Sequence, residues 1–166
     1  MSSVITRQRI IGVMGSSKCD PSDYETARQM GELLAQADYI LLCGGGTGIM
    51  EAAAKGASEA GGLTLGIMPG RDAADSPPNQ YIQIPVFTAL EHARNAINVL
   101  TSDLVIAVSG AYGTLSEIAL AAASEKDVIL LNSWTLTIPD QVDATRIHYV
   151  DTPREAIELV KRLLNH

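Results

Sequence analysis

Short apolar runs alternate along the chain with segments whose apolar residues recur every three or four positions. Arg9 to Met14 has the length and composition of a buried strand, and Gly15-Ser16-Ser17 follows as a tight loop. Asp20-Pro21 has the form of a helix N-cap followed by proline at the first helical position. Behind it, Ala27, Met30, Leu34 and Ala37 keep a helical stripe. Tyr39 to Cys43 is a second apolar run, stopped by three glycines. Ile49 to Ala60 predicts an alanine-rich helix ended by Gly61-Gly62. Leu63 to Met68 predicts a third strand, closed by Pro69-Gly70. Residues 71–80, polar and proline-rich, predict a surface loop, and Tyr81 to Ile84 a further strand.

Thr88 and Glu91 have capping-box spacing, which predicts a helix running to about Leu100 with Leu90, Ala93, Ile97 and Leu100 as its buried stripe. Leu104 to Val108 reads as the next strand. Thr114 and Glu117 repeat the capping-box spacing ahead of a helical Ile118 to Ser124, and Val128 to Leu131 predicts another strand. Thr152-Pro153-Arg154-Glu155 opens the last helix with a cap, a proline and an acid. Strands of four to six residues alternating with helices predict right-handed βαβ units. The expected fold is α/β: one domain over residues 1–166, a three-layer α/β/α sandwich with a mostly parallel sheet.

Composition narrows the function classes. With 46% hydrophobic and 19% charged residues, the chain is rich enough in apolar side chains to build a core. A formal net charge of -7 argues against a nucleic-acid partner. Two cysteines, Cys19 and Cys43, do not make a disulfide framework, and no apolar stretch is long enough to span a membrane. These features predict a cytoplasmic protein with reduced thiols. Aromatic residues are only 4%, so Ala, Val, Ile and Leu must fill the core.

The chemistry concentrates in glycine-rich turns that fall where strands end and helices begin. Gly44, Gly45, Gly46, Thr47 and Gly48 form one, and Gly110, Ala111, Tyr112, Gly113 and Thr114 another. A helix N-terminus offers unpaired N–H groups and a positive dipole end, and glycine lets an anion approach the backbone. Gly15, Ser16 and Ser17 are a weaker version of the same design. The first turn lacks the last glycine of G-x-G-x-x-G, and no Walker lysine is present, so NAD and ATP are not the expected ligands. In the Thr88–Leu100 segment, Glu91, Arg94, Asn95 and Asn98 share a face, either a clamp for a phosphate or sugar or an ordinary solvated surface. Glu117 is either a helix-capping residue or a carboxylate aimed at a ligand. His92, His148 and His166 are scattered, without metal-site spacing. Cys43 reads as a small buried hydrophobe whose place before a helix can lower its pKa, and Cys19 as an exposed loop thiol. Asp72 and Asp75 belong to the solvated loop, which can also act as a lid.

Gly44 to Glu51 (with Met50), Arg94-Asn95 and Ser109 to Glu117 together resemble the Rossmann-like proteins once labelled "possible lysine decarboxylases", over nearly the whole chain from about Arg9. A pyridoxal enzyme needs a Schiff-base lysine, and none of Lys18, Lys55, Lys126 and Lys161 lies in a convincing motif, so PLP is not expected. One branch of that superfamily is the Lonely Guy type phosphoribohydrolases, which cleave cytokinin nucleoside 5′-monophosphates with the motif P-G-G-x-G-T-x-x-E. The resemblance to it implies Arg94 and Glu117 as catalytic residues, but Ser109 replaces the proline and Ala111 the second glycine. The other branch is the molybdenum cofactor carrier proteins, similar in length and in Gly113 to Ala121. It implies a binding protein that holds and protects the molybdenum cofactor, assembles as a dimer or tetramer, and passes the cofactor to molybdenum enzymes. The altered motif fits that branch better. The ligand-binding set expected from both is Gly15, Ser16, Ser17, Gly44, Gly45, Gly46, Thr47, Gly48, Met50, Arg94, Asn95, Gly110, Tyr112, Gly113, Thr114 and Glu117. More distantly, the fold resembles the DNA-processing proteins of natural transformation.

Overall fold

A computed structural model describes residues 7–164; His166 lies outside the described residues. Among the described residues there are seven parallel strands: β1 (Ile10–Met14), β2 (Ile40–Cys43), β3 (Thr64–Met68), β4 (Ile84–Phe87), β5 (Leu104–Val108), β6 (Val128–Leu131) and β7 (Ile147–Val150). Their order across the sheet is β4-β3-β2-β1-β5-β6-β7. Between them run α1 (Pro21–Gln36), α2 (Ile49–Glu59), α3 (Arg94–Thr101), α4 (Tyr112–Ala123) and, at the end, α5 (Pro153–Leu164). The expected α/β/α architecture with its parallel sheet is thus what the chain adopts.

Strand side chains alternate between the two faces. Leu104, Ile106 and Val108 pack into one apolar cluster with α1, α2 and α5, while Val105 and Ala107 pack into a second with α3 and α4. The core is therefore two layers, one on each side of the sheet. Gly31 and Gly56 leave no room for a Cβ between α1 and α2, so these helices touch through their backbones. The N-cap of α1 forms as the sequence predicts, with the Asp20 carboxylate accepting from Asp23 N at 2.8 Å and Pro21 behind it. Among the described residues, no helix is long and apolar enough to cross a membrane.

Four expectations change. The strand expected at Tyr81–Ile84 lies at Ile84–Phe87, because the Thr64 hydroxyl occupies the earlier positions: it donates to Tyr81 O at 2.6 Å and accepts from Gln83 N at 3.0 Å. Pro85 is tolerated there because β4 is an edge strand. Neither the Thr88–Glu91 nor the Thr114–Glu117 capping box forms. Thr88 donates to Met68 O at 2.8 Å, Glu91 has φ 48°, and a 3₁₀ turn over Glu91–Ala93 precedes α3. α4 starts at Tyr112, two residues ahead of Thr114, so Thr114 and Glu117 are both inside the helix.

The third change is the orientation of α3. Its buried residues are Asn95, Asn98 and Val99, whereas Leu90 and Leu100 are 46% and 64% exposed. Asn95 and Asn98 of the polar face point inward, while Ile97 of the expected stripe packs against the core and Glu91 is exposed. The fourth is β7, a strand absent from the sequence reading. Residues 132–146 connect β6 to it without a helix, and Trp134 and Leu136 from this connection cover the α3/α4 cluster instead.

Candidate functional site

β1 and β5 are neighbours, and the chain proceeds outward from them in opposite directions. Their C-terminal ends therefore bound a crevice, the position where open parallel sheets take ligands. A cavity of about 270 Å³ lies there, lined by Gly15, Ser16, Ser17, Met50, His92, Arg94, Asn95, Ala111, Gly113, Thr114 and Glu117. Nine of these belong to the set read from the sequence. His92 and Ala111 are additions; His92 had no partner spacing that marked it, and only the turn at Glu91–Ala93 brings it to the rim.

The charged pair sits at the base. Arg94 Nη1 is 3.9 Å from Glu117 Oε1, an ion pair too long for a hydrogen bond. Asn98 Nδ2 donates to Glu117 Oε1 at 2.7 Å, and Asn95 Nδ2 donates to Ser116 Oγ at 2.9 Å. The α3 face is thus a built polar surface, not a solvated one. Burial pushes the Glu117 carboxyl up to about 7, overriding the Asn98 hydrogen bond and the Arg94 charge, which both favour ionisation. Burial also lowers the pKa of Arg94, against the pull of Glu117. Among the described residues, the buried side-chain polar atoms without a partner are Arg94 Nε and Asn98 Oδ1. An orphaned buried group costs about 1–3 kcal/mol, so both invite a ligand or water.

α4 supplies the anion-binding end. Its first helical bond runs from Leu115 N to Ala111 O, which leaves the N–H groups of Tyr112, Gly113 and Thr114 without an intrahelical acceptor. No side chain caps them. Glu117, buried and bonded to Asn98, is not a cap. A Cβ placed on Gly113 would meet nothing within 4 Å, so packing within the chain does not require glycine there. The open space faces the cavity and suits close approach of an anion. Gly113→Ala is accordingly expected to leave thermal stability unchanged or raise it by up to about 1 kcal/mol, while weakening binding of a phosphate ligand; calorimetry on one preparation checks both.

The other glycine turn has a supporting place. Gly44, Gly45, Gly46, Thr47 and Gly48 do not line the cavity. Thr47 Oγ1 donates to Ser17 O at 3.0 Å and Ile49 N to Ser16 O at 3.0 Å, which staples this turn beneath the Gly15–Ser17 loop. Asn79 donates through Nδ2 to Gly46 O at 2.8 Å and through its backbone N to Gly45 O at 2.9 Å, so the 71–80 loop holds the turn from outside. Asp72 and Asp75 organise that loop by accepting from backbone N–H groups of Ala74, Asp75 and Arg71. A Cβ on Gly44 would lie 2.8 Å from both terminal nitrogens of Arg94, so the guanidinium rests on this glycine. Gly110 and Tyr112 also lie outside the lining; Tyr112 is 83% exposed. Cys43 is fully buried with its thiol pushed up to about 11, opposite to the lowering its place before a helix suggested, and Cys19 is half-buried.

The model of the SLOG cluster4 family matches residues 8–157. The chain belongs to the SLOG cluster4 family. Its relatives include an uncharacterized protein of Archaeoglobus fulgidus, 40% identical over 147 residues that cover 89% of this chain and 91% of that one. Among solved structures, this SLOG cluster4 chain is similar to the molybdenum cofactor binding protein of Rippkaea orientalis, with a TM-score of 0.86, 40% identity and coverage of 95% and 98% of the two chains. It is also similar to the molybdenum cofactor carrier protein of Chlamydomonas reinhardtii, with a TM-score of 0.83, 36% identity and coverage of 96% and 100%.

Proposed function

We propose that this protein binds the molybdenum cofactor, a pterin bearing a phosphate and a metal-dithiolene group, and carries it protected from water and oxygen. The observation that carries this reading is near-complete structural similarity to a molybdenum cofactor binding protein, in a chain whose β1–β5 crevice has the parts a phosphate needs. Arg94 Nε is a buried donor without an acceptor. The α4 N–H groups and the open space at Gly113 lie beside it at the same cavity. The cofactor's phosphate fits between them. The test is to mix the purified protein anaerobically with released cofactor, desalt, and follow retention and oxidative decay. Retention with slowed decay is expected; no retention and no protection contradict the reading.

The Arg94–Glu117 pair also supports a second reading, hydrolysis of nucleoside 5′-monophosphates, with Glu117 holding the ribose and stabilising an oxocarbenium-like state. Ser109 and Ala111 depart from the hydrolase motif, and the carrier reading is preferred. Incubation with AMP is expected to release no adenine. Release that Glu117→Ala abolishes would reverse the preference.

The reading extends to assembly and location. Leu90 before the 3₁₀ turn, Leu100 on α3 and Leu120 on α4 are exposed apolar side chains, and a second copy of the chain is their proposed cover. Light scattering is expected to give a dimer or tetramer, and Leu100→Asp to shift it towards monomer; a monomeric wild type would contradict this. The protein is proposed to act in the cytoplasm, where its two cysteines stay reduced, with molybdenum enzymes as recipients of the cofactor.

A further inference from the structure

The chain has one tryptophan, five tyrosines and one phenylalanine. The tryptophan and the most exposed tyrosine stand side by side at the sheet edge that carries the cavity. Trp134 and Tyr112 have ring centroids 6.1 Å apart and planes tilted by 36°. Tyr112 leaves 83% of its surface in solvent, so it does little for the core. A second cavity of about 270 Å³ adjoins the pair, lined by Ser109, Gly110, Asn132, Ser133 and Trp134. β5 and β6 both leave the sheet through left-handed residues, Ser109 (φ 51°) with Gly110 (φ 119°), and Asn132 (φ 48°). For Ser and Asn that conformation is unfavourable unless the surroundings impose it.

Both cavities take lining residues from the 109–114 segment. Gly110 lines one, while Ala111 and Gly113 line the other. Trp134 is fixed to this segment: its Nε1–H donates to Ala111 O at 3.4 Å, and neighbouring Ser133 Oγ donates to Ser109 O at 2.5 Å. A ligand with its phosphate at the start of α4 therefore has an aromatic surface within reach of its other end.

We propose that Trp134 and Tyr112 form a subsite for a planar heteroaromatic ring, on the ligand whose phosphate lies between Arg94 and Gly113. This rests on the phosphate site proposed above and adds where the rest of the ligand goes. The exposed Asn132 amide pairs with the ring's polar edge while the aromatic faces stack on it. A pterin and a purine share this chemistry.

Calorimetric titration with glycerol 3-phosphate, AMP and neopterin monophosphate separates the contributions. Tyr112→Ala and Trp134→Ala are each expected to weaken binding of a ring-bearing ligand about tenfold, the scale of one aromatic stacking contact, and to leave glycerol 3-phosphate within about twofold. Trp134 packs partly on the core, so exposed Tyr112 provides the variant whose folding is secure. Unchanged ring-ligand affinity in Tyr112→Ala overturns the subsite, as does an equal loss for all three ligands. AMP binding that depends on the aromatic pair, without pterin binding, upholds the subsite and removes the cofactor reading. Failure of all three ligands to bind the wild type overturns both.

Discussion

Replacing Arg94 by alanine is expected to weaken phosphate-ligand binding by roughly 10- to 100-fold without unfolding the protein, on the scale of charge-assisted hydrogen bonds. Arg94 is the one guanidinium lining the cavity among the described residues, and its Nε is buried without an acceptor. It rests on Gly44 and faces Glu117 at 3.9 Å, so its position is set before any ligand arrives. That preorganisation is what a lysine lacks: Arg94→Lys keeps the charge but loses the planar fork, and is expected to recover only part of the affinity. Calorimetry with glycerol 3-phosphate measures both. Unchanged affinity in Arg94→Ala would place the phosphate elsewhere.

Glu117→Gln is expected to stabilise the protein at pH 8 by up to about 3 kcal/mol, from a carboxyl raised from 4.5 to about 7 at 1.36 kcal/mol per pH unit. The sign follows from where the proton is held. Below about 4.5 the carboxyl is neutral in both states, and its contribution to stability is fully present. Between about 4.5 and 7 the unfolded chain ionises first, so stability falls as pH rises, and above about 7 the loss is complete. The glutamine variant lacks this slope, so its advantage should shrink steadily from pH 8 to pH 4 in denaturant titrations. An advantage independent of pH would mean that the Glu117 carboxyl titrates alike in the folded and the unfolded chain. An anion in the cavity favours the neutral carboxyl further, so binding by the wild type should tighten as pH falls towards 6, and less so in Glu117→Gln.

The β-strands at β1, β2, β3, β5 and β6 were legible because each is a short, largely apolar run that the sheet buries. β7 was not, because Ile147-His148-Tyr149-Val150 is half polar and no helical segment precedes it to announce a βαβ unit. The α3 face was inverted for a different reason. Amphipathicity says which residues share a side, and the usual rule sends the apolar side inward. Here the inward side meets a ligand crevice, so Asn95 and Asn98 are buried and Leu100 is exposed. The capping boxes failed because T-x-x-E spacing is short enough to recur by chance, and Gly110-Ala111 lets α4 begin earlier.

The site itself was legible as glycine turns next to strand ends, but sequence spacing could not rank the turns. The Gly44–Gly48 turn is the richer in glycine, yet its polar groups are spent on Ser16, Ser17 and Asn79. The turn before α4, whose N–H groups stay unpaired, faces the cavity. The partner of Glu117 was also hidden, since Asn98 lies 19 residues away on another helix and only the fold joins them.

A crystal structure of the protein grown anaerobically with the molybdenum cofactor shows whether a phosphate-bearing cofactor sits at the β1–β5 crevice. Phosphate density is expected between the Arg94 guanidinium and the N–H groups of Gly113 and Thr114. Cofactor density at any other place, with that crevice holding only water, would contradict it.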